Sequence, residues 1–396
     1  MSGNGAEQCT PQVLDVWSHV APEYGGVGPA AAGLAIAVQR NSGWRSRMVA
    51  VCGEQENQLS DGIPDTVERV PASGLRPAAD VRLRSALASV IRTSDVVHVH
   101  GLWLPHSIAA RTGAAKFKKP LISSVHGMLE TWELGNKRLK KSIYSLFVER
   151  PSLARSHCFR ALSGQEASDY RRFGLRSPIA VVPNGIGPLN RIDPDAFFMR
   201  FPKLSGKTIV LYLSRVHYKK GILNLLQAWP EVLRDHPDAH LVVAGPDCQG
   251  TVKRAEELVA RYNMASAVTL TGTLSGETKL AALSAARLFC LPSYSEGQSV
   301  AVLEALSIGL PVVITPACNV DGVTASGAGI VTSNEPSKLA GALSEVLTAR
   351  SADWNIMSES ARRMASTRFN WSVTGETMHS VYAWMLGGPR PACLLN

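Results

Sequence analysis

Two glutamates, Glu296 and Glu304, stand eight positions apart at the start of an apolar segment. A carboxylate can accept paired hydrogen bonds from the vicinal hydroxyls of a sugar or a ribose. Between them, Gly297 lets the backbone approach a ligand closely. The spacing predicts one binding strip, with a sugar at Glu296, phosphate in the middle and a ribose at Glu304. The phosphate would meet a predicted helix N-terminus, whose amides belong to Gln298, Ser299 and Val300.

A structural interpretation of the same segment is also open. Glu296 could favour the first turn of the helix, and Glu304 could lie on a solvated helix face. The residues around Glu304 argue against solvation because they are all apolar, namely Val302, Leu303, Ala305 and Leu306. We therefore favour ligand binding at both glutamates.

A cationic loop is the second group of interest. Arg215 and Lys220 follow the apolar run Ile209–Leu213. At the end of a strand, a forked guanidinium and a compact ammonium can together hold a diphosphate. A solvated basic turn is the alternative, and it applies best to Lys219. Gly221, which is placed to open a helix after the loop, favours the diphosphate site.

Three histidines also fall at predicted strand ends. His126 follows the apolar run Leu121–Val125, where open α/β sheets bind their ligands, so we interpret it as functional. His98 and His100 share one face of a neighbouring strand because side chains alternate along it. No third metal ligand is evident from the sequence, and we interpret this pair as cleft-lining or packing residues.

Two further motifs have alternative interpretations. The segment Glu23–Pro29 contains Gly25 and Gly26, and within and just after it Gly26, Gly28 and Ala31 loosely match a dinucleotide fingerprint. That fingerprint should begin directly at the end of its strand, and Ser18–Tyr24 intervenes here, which disfavours a NAD site. Asp193-Pro194-Asp195 has the spacing of a metal-binding Asp-x-Asp, but it falls in a predicted linker and we interpret it as a turn and helix start. We expect neither a metal nor another cofactor.

The elements that position these residues alternate between short apolar runs and longer amphipathic stretches. Such a pattern predicts parallel sheets covered by helices on both faces. About ten strands are more than one doubly wound sheet uses, so we predict two α/β domains with ligands at the strand ends. The runs are Val13–Trp17, Ser46–Val51, Val96–His100, Leu121–Val125, Ile179–Val182, Ile209–Leu213, Leu241–Ala244, Val268–Thr271, Leu288–Leu291 and Val312–Ile314.

These motifs, in this order, resemble the retaining nucleotide-sugar glycosyltransferases of glycosyltransferase family 4 (group 1). The resemblance covers nearly the whole chain and implies the GT-B fold, with two Rossmann-like domains facing a central cleft. It implies an acceptor domain at 1–188, a donor domain at 189–370 and a closing helix at 371–396. Family members commonly have an aspartate where this chain has Gly187.

The resemblance also assigns roles to residues. It implies catalytic roles for His126, Arg215, Lys220 and Glu296. Donor contacts are implied for the glutamate strip described above and for residues in three glycine-containing loops: Gly25, Gly26, Gly245, Pro246, Thr271 and Gly272.

The implied activity is a metal-independent transfer of a hexose-type sugar from a nucleoside diphosphate to a glycan, with retention at the anomeric carbon. No opposed carboxylate is identifiable as a nucleophile, so no covalent glycosyl-enzyme is expected. Two alternatives share the fold: a nucleotide-sugar epimerase, and a non-catalytic nucleotide-sugar-binding protein. Sequence alone names neither the base nor the sugar.

The net charge of +9 favours anionic partners. Nucleic acid is the weakest of these, since no nucleic-acid module is present and aromatic residues are only 6%. A basic stretch followed by apolar residues predicts contact with an anionic membrane carrying a polyprenyl-linked acceptor. Seven widely spaced cysteines and a polar N-terminus favour the cytoplasm, with peripheral contact at the inner face of the membrane. The basic residues are Lys137, Arg138, Lys140 and Lys141.

Overall fold

The computed structural model describes residues 10–20, 26–53, 59–60, 62–71, 81–130 and 144–395. The chain divides into two compact units. The first unit combines residues 1–185 with 371–396, and the second comprises residues 186–370. The C-terminal segment therefore folds with the N-terminal part of the chain.

An eight-stranded sheet forms the centre of the first unit, in the order β14-β7-β6-β5-β4-β1-β2-β3. All neighbouring strands are parallel except β14, which pairs antiparallel with β7. The strands are β1 (Gln12–Ser18), β2 (Arg45–Cys52), β3 (Glu68–Pro71), β4 (Val96–His100), β5 (Leu121–Ser124), β6 (Cys158–Ala161), β7 (Ile179–Val181) and β14 (Leu394–Leu395).

Helices pack on both faces of this sheet. Helix α14 (Trp371–Met385) buries Met378, Val381 and Tyr382 in one core cluster with residues of α1. A Cβ at Gly375 would lie 2.7 Å from the Ala37 backbone, so glycine permits this close approach. The other helices are α1 (Val27–Ser42), α2 (Val81–Thr93), α3 (Pro105–Lys116), a π-helical turn (Ser145–Glu149), α4 (Arg150–Leu153) and α5 (Gly164–Phe173).

The second unit is built on a six-stranded parallel sheet in the order β10-β9-β8-β11-β12-β13. Its strands are β8 (Thr208–Leu213), β9 (Ala239–Ala244), β10 (Val268–Gly272), β11 (Leu288–Leu291), β12 (Val312–Ile314) and β13 (Gly329–Val331). Its helices are α6 (Asp195–Arg200), α7 (Ile222–Asp235), α8 (Thr251–Arg261), α9 (Gly276–Ala285), α10 (Val300–Ser307), α11 (Val323–Ser326), α12 (Pro336–Thr348) and α13 (Ser351–Arg368).

Strands β9, β11 and β12 are buried along their whole length and β8 is buried except at its first residue, as continuous apolar runs predict for a parallel sheet covered on both faces. The α/β prediction is therefore confirmed, with two Rossmann-like sheets. Leu394–Leu395, which is not among the predicted strands, adds one antiparallel edge to the first sheet. Among the described residues, no helix is both long and apolar enough to cross a bilayer.

Candidate active site

The predicted phosphate loops flank one point in the second sheet. Strands β8, β9 and β10 run outward in one direction, and β11 returns to pair with the other side of β8. The chain order reverses between β8 and β11, and such switch points are where open α/β sheets bind ligands. Arg215 and Lys220 follow β8, and Glu296 follows β11. The sheet topology thus brings the cationic loop and the first glutamate together.

An ion pair joins these two loops. Lys220 Nζ lies 2.6 Å from Glu296 Oε2, and each side chain is only 11% exposed. The backbone is also tied, since the Tyr294 amide donates to the Lys219 carbonyl at 2.8 Å. Gly221 has φ +72°, and a Cβ there would lie 1.9 Å from the Pro292 carbonyl oxygen. The lysine and the glutamate are therefore held on a rigid, closely packed base.

Helix α10 begins at the predicted place, with Ser299 as its cap and Val300 as its first residue. The Ser299 hydroxyl accepts from the Val302 amide at 3.4 Å. The Ser299 amide itself donates to the Cys318 carbonyl at 3.1 Å, so this amide is already engaged within the protein. The first turn of α10 therefore presents the amides of Val300 and Ala301, and a helix N-terminus of this kind can bind phosphate.

Asn319 is a further residue of this site that the sequence did not suggest. Its side-chain amide donates to the Glu296 carbonyl at 2.6 Å, and Gln298 Nε2 reaches the Asn319 carbonyl at 3.4 Å. Asn319 is buried and has φ +55°, a conformation that asparagine tolerates better than most residues. It fixes the backbone of the loop that carries Glu296.

Glu304 lies on α10 and is half-enclosed, as its apolar neighbours suggested. Its Oε1 is 2.9 Å from Lys279 Nζ on α9, with side-chain exposures of 16% for Glu304 and 26% for Lys279. Lys279 was not identified from the sequence because it is 25 positions away and belongs to another helix. Each glutamate of the strip is thus paired with a lysine.

The Arg215 side chain is exposed at the same sheet edge, and its carbonyl accepts from the Tyr212 hydroxyl at 3.1 Å. Gly245 is buried beneath this loop. A Cβ at Gly245 would lie 1.9 Å from the Ser214 carbonyl oxygen. The Gly245 amide donates to the Gly272 carbonyl at 2.9 Å, which ties the ends of β9 and β10 together.

Two other predicted donor residues complete this edge. Pro246 is exposed, and its carbonyl accepts from the Val216 amide at 2.8 Å. Thr271 is half-buried, and its hydroxyl donates to the Gly272 carbonyl at 3.0 Å. The loops after β8, β9 and β10 therefore form one continuous surface beside Arg215.

His126 lies at the end of β5 in the first unit and is half-buried, with φ +55°. A positive φ is uncommon for a residue with a side chain and marks a position held by its surroundings. Glu166 on α5 supplies that hold, since its carboxylate accepts from the amides of Gly127 at 2.7 Å and Leu162 at 2.6 Å. Burial raises the pKa of Glu166, while these amides favour its ionised form.

His126 also belongs to a buried polar network. Its Nε2 lies 3.0 Å from His100 Nδ1, and His100 Nε2 lies 3.1 Å from Asp15 Oδ1. Burial raises the pKa of Asp15 to about 7 and lowers the pKa values of His98, His100 and His126 well below the usual histidine range. The three rings are therefore neutral at neutral pH.

Asp15, His98 and His100 place their ligand-type atoms within 4.8 Å of one another. The sequence suggested no third ligand for the two histidines, because Asp15 comes from a distant strand. His98 already makes two short hydrogen bonds, to the Tyr382 hydroxyl and the Ser124 hydroxyl, both at 2.7 Å. The residues are therefore a hydrogen-bonded packing group, and both histidines are fully buried rather than lining a cleft.

The remaining predicted residues are placed as follows. Gly26 is exposed and immediately precedes α1, whereas Gly25 lies outside the described residues. Asp193 Oδ1 accepts from the Asp195 amide at 3.0 Å where α6 begins, which is the turn and helix start expected there. The basic residues Lys137, Arg138, Lys140 and Lys141 also lie outside the described residues.

Comparison with known families follows the same division of the chain. The family "Glycosyl transferases group 1" matches residues 195–365, and the "Glycosyl transferase 4-like domain" matches residues 25–185. Together the two matches span most of the chain.

Relatives of similar length include a GDP-mannose:cellobiosyl-diphosphopolyprenol alpha-mannosyltransferase of Xanthomonas campestris. It is 24% identical over 85% of this chain and 84% of its own length. A glycogen synthase of Mycobacterium tuberculosis is 26% identical over 75% of this chain and 70% of its own length.

Solved structures share the architecture. Anabaena Alr3699/HepE in complex with UDP-glucose has a TM-score of 0.73 at 17% identity, covering 95% of this chain and 99% of that one. Sucrose-phosphate synthase from Thermosynechococcus elongatus also has a TM-score of 0.73, at 18% identity and the same coverage. The chain belongs to the group 1 glycosyltransferases and is a GT-B hexosyltransferase that uses a nucleotide sugar.

Proposed function

We propose that this glycosyltransferase moves a hexose-type sugar to a glycan acceptor on a polyprenyl-diphosphate lipid, in the synthesis of a surface polysaccharide. The transfer retains the anomeric configuration and requires no metal ion. The observation that carries the proposal is the enclosed Lys220–Glu296 pair at the β8–β11 switch point. At this switch point the cations Arg215 and Lys220 and the Glu296 carboxylate lie close enough together to bind one ligand.

Each part of the donor has a suitable partner in this site. The diphosphate is held by Arg215 and Lys220 and by the first turn of α10. The sugar hydroxyls bind Glu296, whose backbone Asn319 fixes. The ribose hydroxyls bind Glu304, which Lys279 orients at 2.9 Å. The loops at Gly245, Pro246, Thr271 and Gly272 are assigned to the base.

Metal independence is proposed because the leaving group is a diphosphate whose developing charge needs preorganised positive groups. Arg215, Lys220 and the α10 amides supply such groups from the protein itself. Transfer activity should persist undiminished in excess EDTA, and magnesium added back should not raise it. A loss of activity that magnesium restores would overturn metal independence.

For the retaining step we propose attack on the face that the diphosphate leaves. The bond from the anomeric carbon to the diphosphate oxygen breaks, and a bond to the acceptor hydroxyl oxygen forms on the same face. The acceptor proton passes to the departing diphosphate, so charge and atoms balance without a covalent enzyme intermediate. The resemblance assigns His126 a contact with the donor sugar near the reacting carbon. NMR of the product's anomeric centre measures the stereochemical outcome, and an inverted linkage would contradict this mechanism.

The lipid-linked acceptor is supported by the names of two relatives. One is the cellobiosyl-diphosphopolyprenol mannosyltransferase described above. The other is a monoacylated phosphatidylinositol monomannoside mannosyltransferase of Corynebacterium glutamicum, 23% identical over 75% of this chain and 78% of its own length. Both printed names describe an acceptor sugar that is attached to a lipid.

The test of function is a donor panel of UDP, GDP and ADP sugars, first by thermal shift and then by turnover. Free nucleoside diphosphate should appear only when a polyprenyl-diphosphate glycan is present. Release without an acceptor would favour the epimerase, and binding without release would favour the non-catalytic protein. Arg215→Ala should lose turnover at saturating donor, and full retention would remove Arg215 from the diphosphate site.

Peripheral membrane contact at the cytoplasmic face is proposed from the apolar side chains that follow the basic stretch. Leu146 is 55% exposed and Phe147 is 72% exposed in the π-helical turn of the first unit. Exposed apolar side chains that follow a basic stretch in the sequence, here 137–141, suit an anionic bilayer surface.

Sedimentation with phosphatidylglycerol vesicles at low salt tests this contact. Binding should fall in a Leu146→Ser/Phe147→Ser variant. It should remain in Ile356→Ser, which changes an apolar side chain of the second unit that is 64% exposed. Absence of wild-type binding would exclude the membrane contact.

A further inference from the structure

A chain of hydrogen bonds runs across three adjacent strand positions of the first unit. It begins at Asp15 on β1, passes through His100 at the end of β4 and reaches His126, two residues after the end of β5. The sheet places these strands side by side, since Val13 to Val16 of β1 pair with Val96 to Val99 of β4, and His100 pairs with Ser124 of β5. Residues far apart in sequence are thereby fixed in line.

Burial changes along this chain. Asp15 and His100 are each 1% exposed, whereas His126 is half-buried at the strand end. The His100 and His126 rings are stacked with their centroids 5.3 Å apart, which holds their relative orientation. Burying a carboxylate in this way costs stability that an apolar residue would not. His126 is therefore the one partly exposed member of this hydrogen-bond chain. It is also the residue to which a contact with the donor sugar is assigned.

The chemistry of the groups gives the chain a direction. When Asp15 is ionised, its carboxylate only accepts hydrogen bonds, so His100 then donates from Nε2 to it. A neutral imidazole carries one N–H, which leaves His100 Nδ1 as an acceptor for the Nε2–H of His126. The remaining nitrogen of His126, Nδ1, then carries a lone pair.

We propose that Asp15 and His100 are positioning residues that fix His126 in the tautomer whose Nδ1 accepts a hydrogen bond from a substrate hydroxyl. The proposal rests on the sugar-transfer function proposed above. It goes beyond that function by naming two buried residues that act through His126. Glu166 contributes independently, because it holds the backbone at Gly127 through the 2.7 Å bond to its amide.

Several groups surround Asp15 and bear on its charge. The Ser46 hydroxyl on β2 donates to Asp15 Oδ2 at 3.3 Å, and His98 Nδ1 lies 3.5 Å from Oδ1. Arg160 on β6 favours the ionised form from a distance, and the Tyr382 hydroxyl on α14 binds His98 beside it. If Asp15 were protonated, it could donate and the chain could reverse. The tautomer is therefore best examined at pH 8.5.

The test uses the full-length enzyme with ¹⁵N-labelled histidine. Long-range ¹H–¹⁵N spectra distinguish the two tautomers, and a His126→Gln sample assigns the His126 signals. Wild type should show His126 protonated at Nε2. Asp15→Asn, which can donate or accept at the same position, should give a mixture of tautomers. Its kcat should fall about 10- to 100-fold, the usual effect of removing an orienting partner, with little change in the donor KM.

Two further variants separate positioning from folding. His100→Phe keeps a planar ring of somewhat larger volume but breaks the chain, and it should reproduce the kcat loss if Asp15→Asn fails to fold. Tyr382→Phe removes a buried hydroxyl that binds His98 outside the chain, and it should leave the His126 tautomer unchanged.

The outcomes are decisive for this proposal and for the function separately. A wild-type His126 protonated at Nδ1 would overturn the proposal, as would an Asp15→Asn variant with wild-type tautomer and kcat. If wild type turns over no nucleotide sugar, the proposed function fails, and the histidine spectra still decide the direction of the chain.

Discussion

Lys220 Nζ lies 2.6 Å from Glu296 Oε2, and this contact joins the loops that follow two neighbouring strands of the second sheet. The two side chains are each 11% exposed, so their attraction is weakly screened. A donor diphosphate that reaches Lys220 therefore competes with Glu296 for the same ammonium. In the proposed donor site, binding would exchange one ionic partner of Lys220 for another and would leave Glu296 available to the sugar.

Replacing Lys220 should show how much the leaving group depends on this ammonium. Lys220→Ala removes a positive charge aimed at the departing diphosphate and leaves the Glu296 carboxylate unpaired. The expected loss in kcat is about 10²- to 10³-fold, similar to the removal of other preorganised transition-state donors. Steady-state kinetics with saturating donor measure it, and circular dichroism checks that the variant is folded.

Lys219→Ala is the matched control for this change, because it removes the same charge one position earlier in the loop. Its kcat should stay within about threefold of wild type, since Lys219 is half-buried in the loop and is not assigned to the donor diphosphate. Equal losses in the two variants would mean that the net charge of the loop matters and that the Lys220–Glu296 pair does not.

Glu304 should affect donor affinity more than the chemical step. A hydrogen bond to the ribose exists in both the bound substrate and the transition state, so its loss raises KM and leaves kcat nearly unchanged. Glu304→Gln should weaken nucleotide binding by about 10- to 150-fold, corresponding to one charged hydrogen bond of about 1.5–3 kcal/mol. Calorimetric titration with the preferred nucleoside diphosphate measures this effect. Glu277→Gln, at an exposed carboxylate on α9, should bind like wild type.

The strands and loops of this site could be predicted because their signals are local. A buried parallel strand is a continuous apolar run, and the loop after it carries the ligand residues, as at Leu288–Leu291 and Glu296. Strand β6 was missed because Arg160 interrupts its short apolar run. Strand β3 was missed because its four residues, Glu68–Pro71, are mostly exposed and carry no apolar periodicity.

The partners of the predicted residues could not be found in the same way. Asp15 contacts His100 because β1 and β4 are neighbours in the sheet. The order of strands in a sheet cannot be predicted from the sequence of either strand. Lys279 meets Glu304 through the packing of two helices, and Asn319 reaches the Glu296 backbone from the loop after β12. Each of these contacts depends on how distant elements pack together in the fold. The local sequence shows which residue types are present and does not show which of them come into contact.

The buried Asp15 carboxyl should make stability depend on pH. Its pKa is raised from 3.8 to about 7 by burial, so the folded protein holds this proton between about pH 4 and pH 7 while the unfolded chain releases it. Stability contributed by this group is therefore present at low pH and lost as pH rises through this window. The amide in Asp15→Asn never ionises.

The free energy of unfolding of Asp15→Asn, relative to wild type, should consequently rise between pH 5 and pH 7 and then level off. The full change is on the order of a few kcal/mol, since one pKa unit corresponds to about 1.4 kcal/mol. Urea unfolding at pH 5, 6, 7 and 8 measures this change. Asp95→Asn is the control, because it removes the carboxylate of an exposed aspartate. A difference that stays flat with pH would show that Asp15 is already ionised at pH 5.

Gly221 and Gly206 offer a matched pair that isolates close packing at the site. Their φ values are +72° and +77°, so alanine at either position meets the same left-handed backbone penalty of about 1–2 kcal/mol. No heavy atom lies within 4 Å of a Cβ built at Gly206, whereas a Cβ at Gly221 would lie 1.9 Å from the Pro292 carbonyl oxygen. The collision must push the two ligand loops apart.

Gly221→Ala should therefore destabilise the protein by at least about 1–3 kcal/mol more than Gly206→Ala, the usual cost of overpacking. It should also weaken nucleotide binding about tenfold or more, because Lys220 and Glu296 move with their loops. Gly206→Ala should bind nucleotide normally. Urea unfolding and calorimetric titration of the two variants test both effects. Equal destabilisation with equal affinity would mean that the loops can separate without cost, and that the Lys220–Glu296 distance is not set by the packing beneath it.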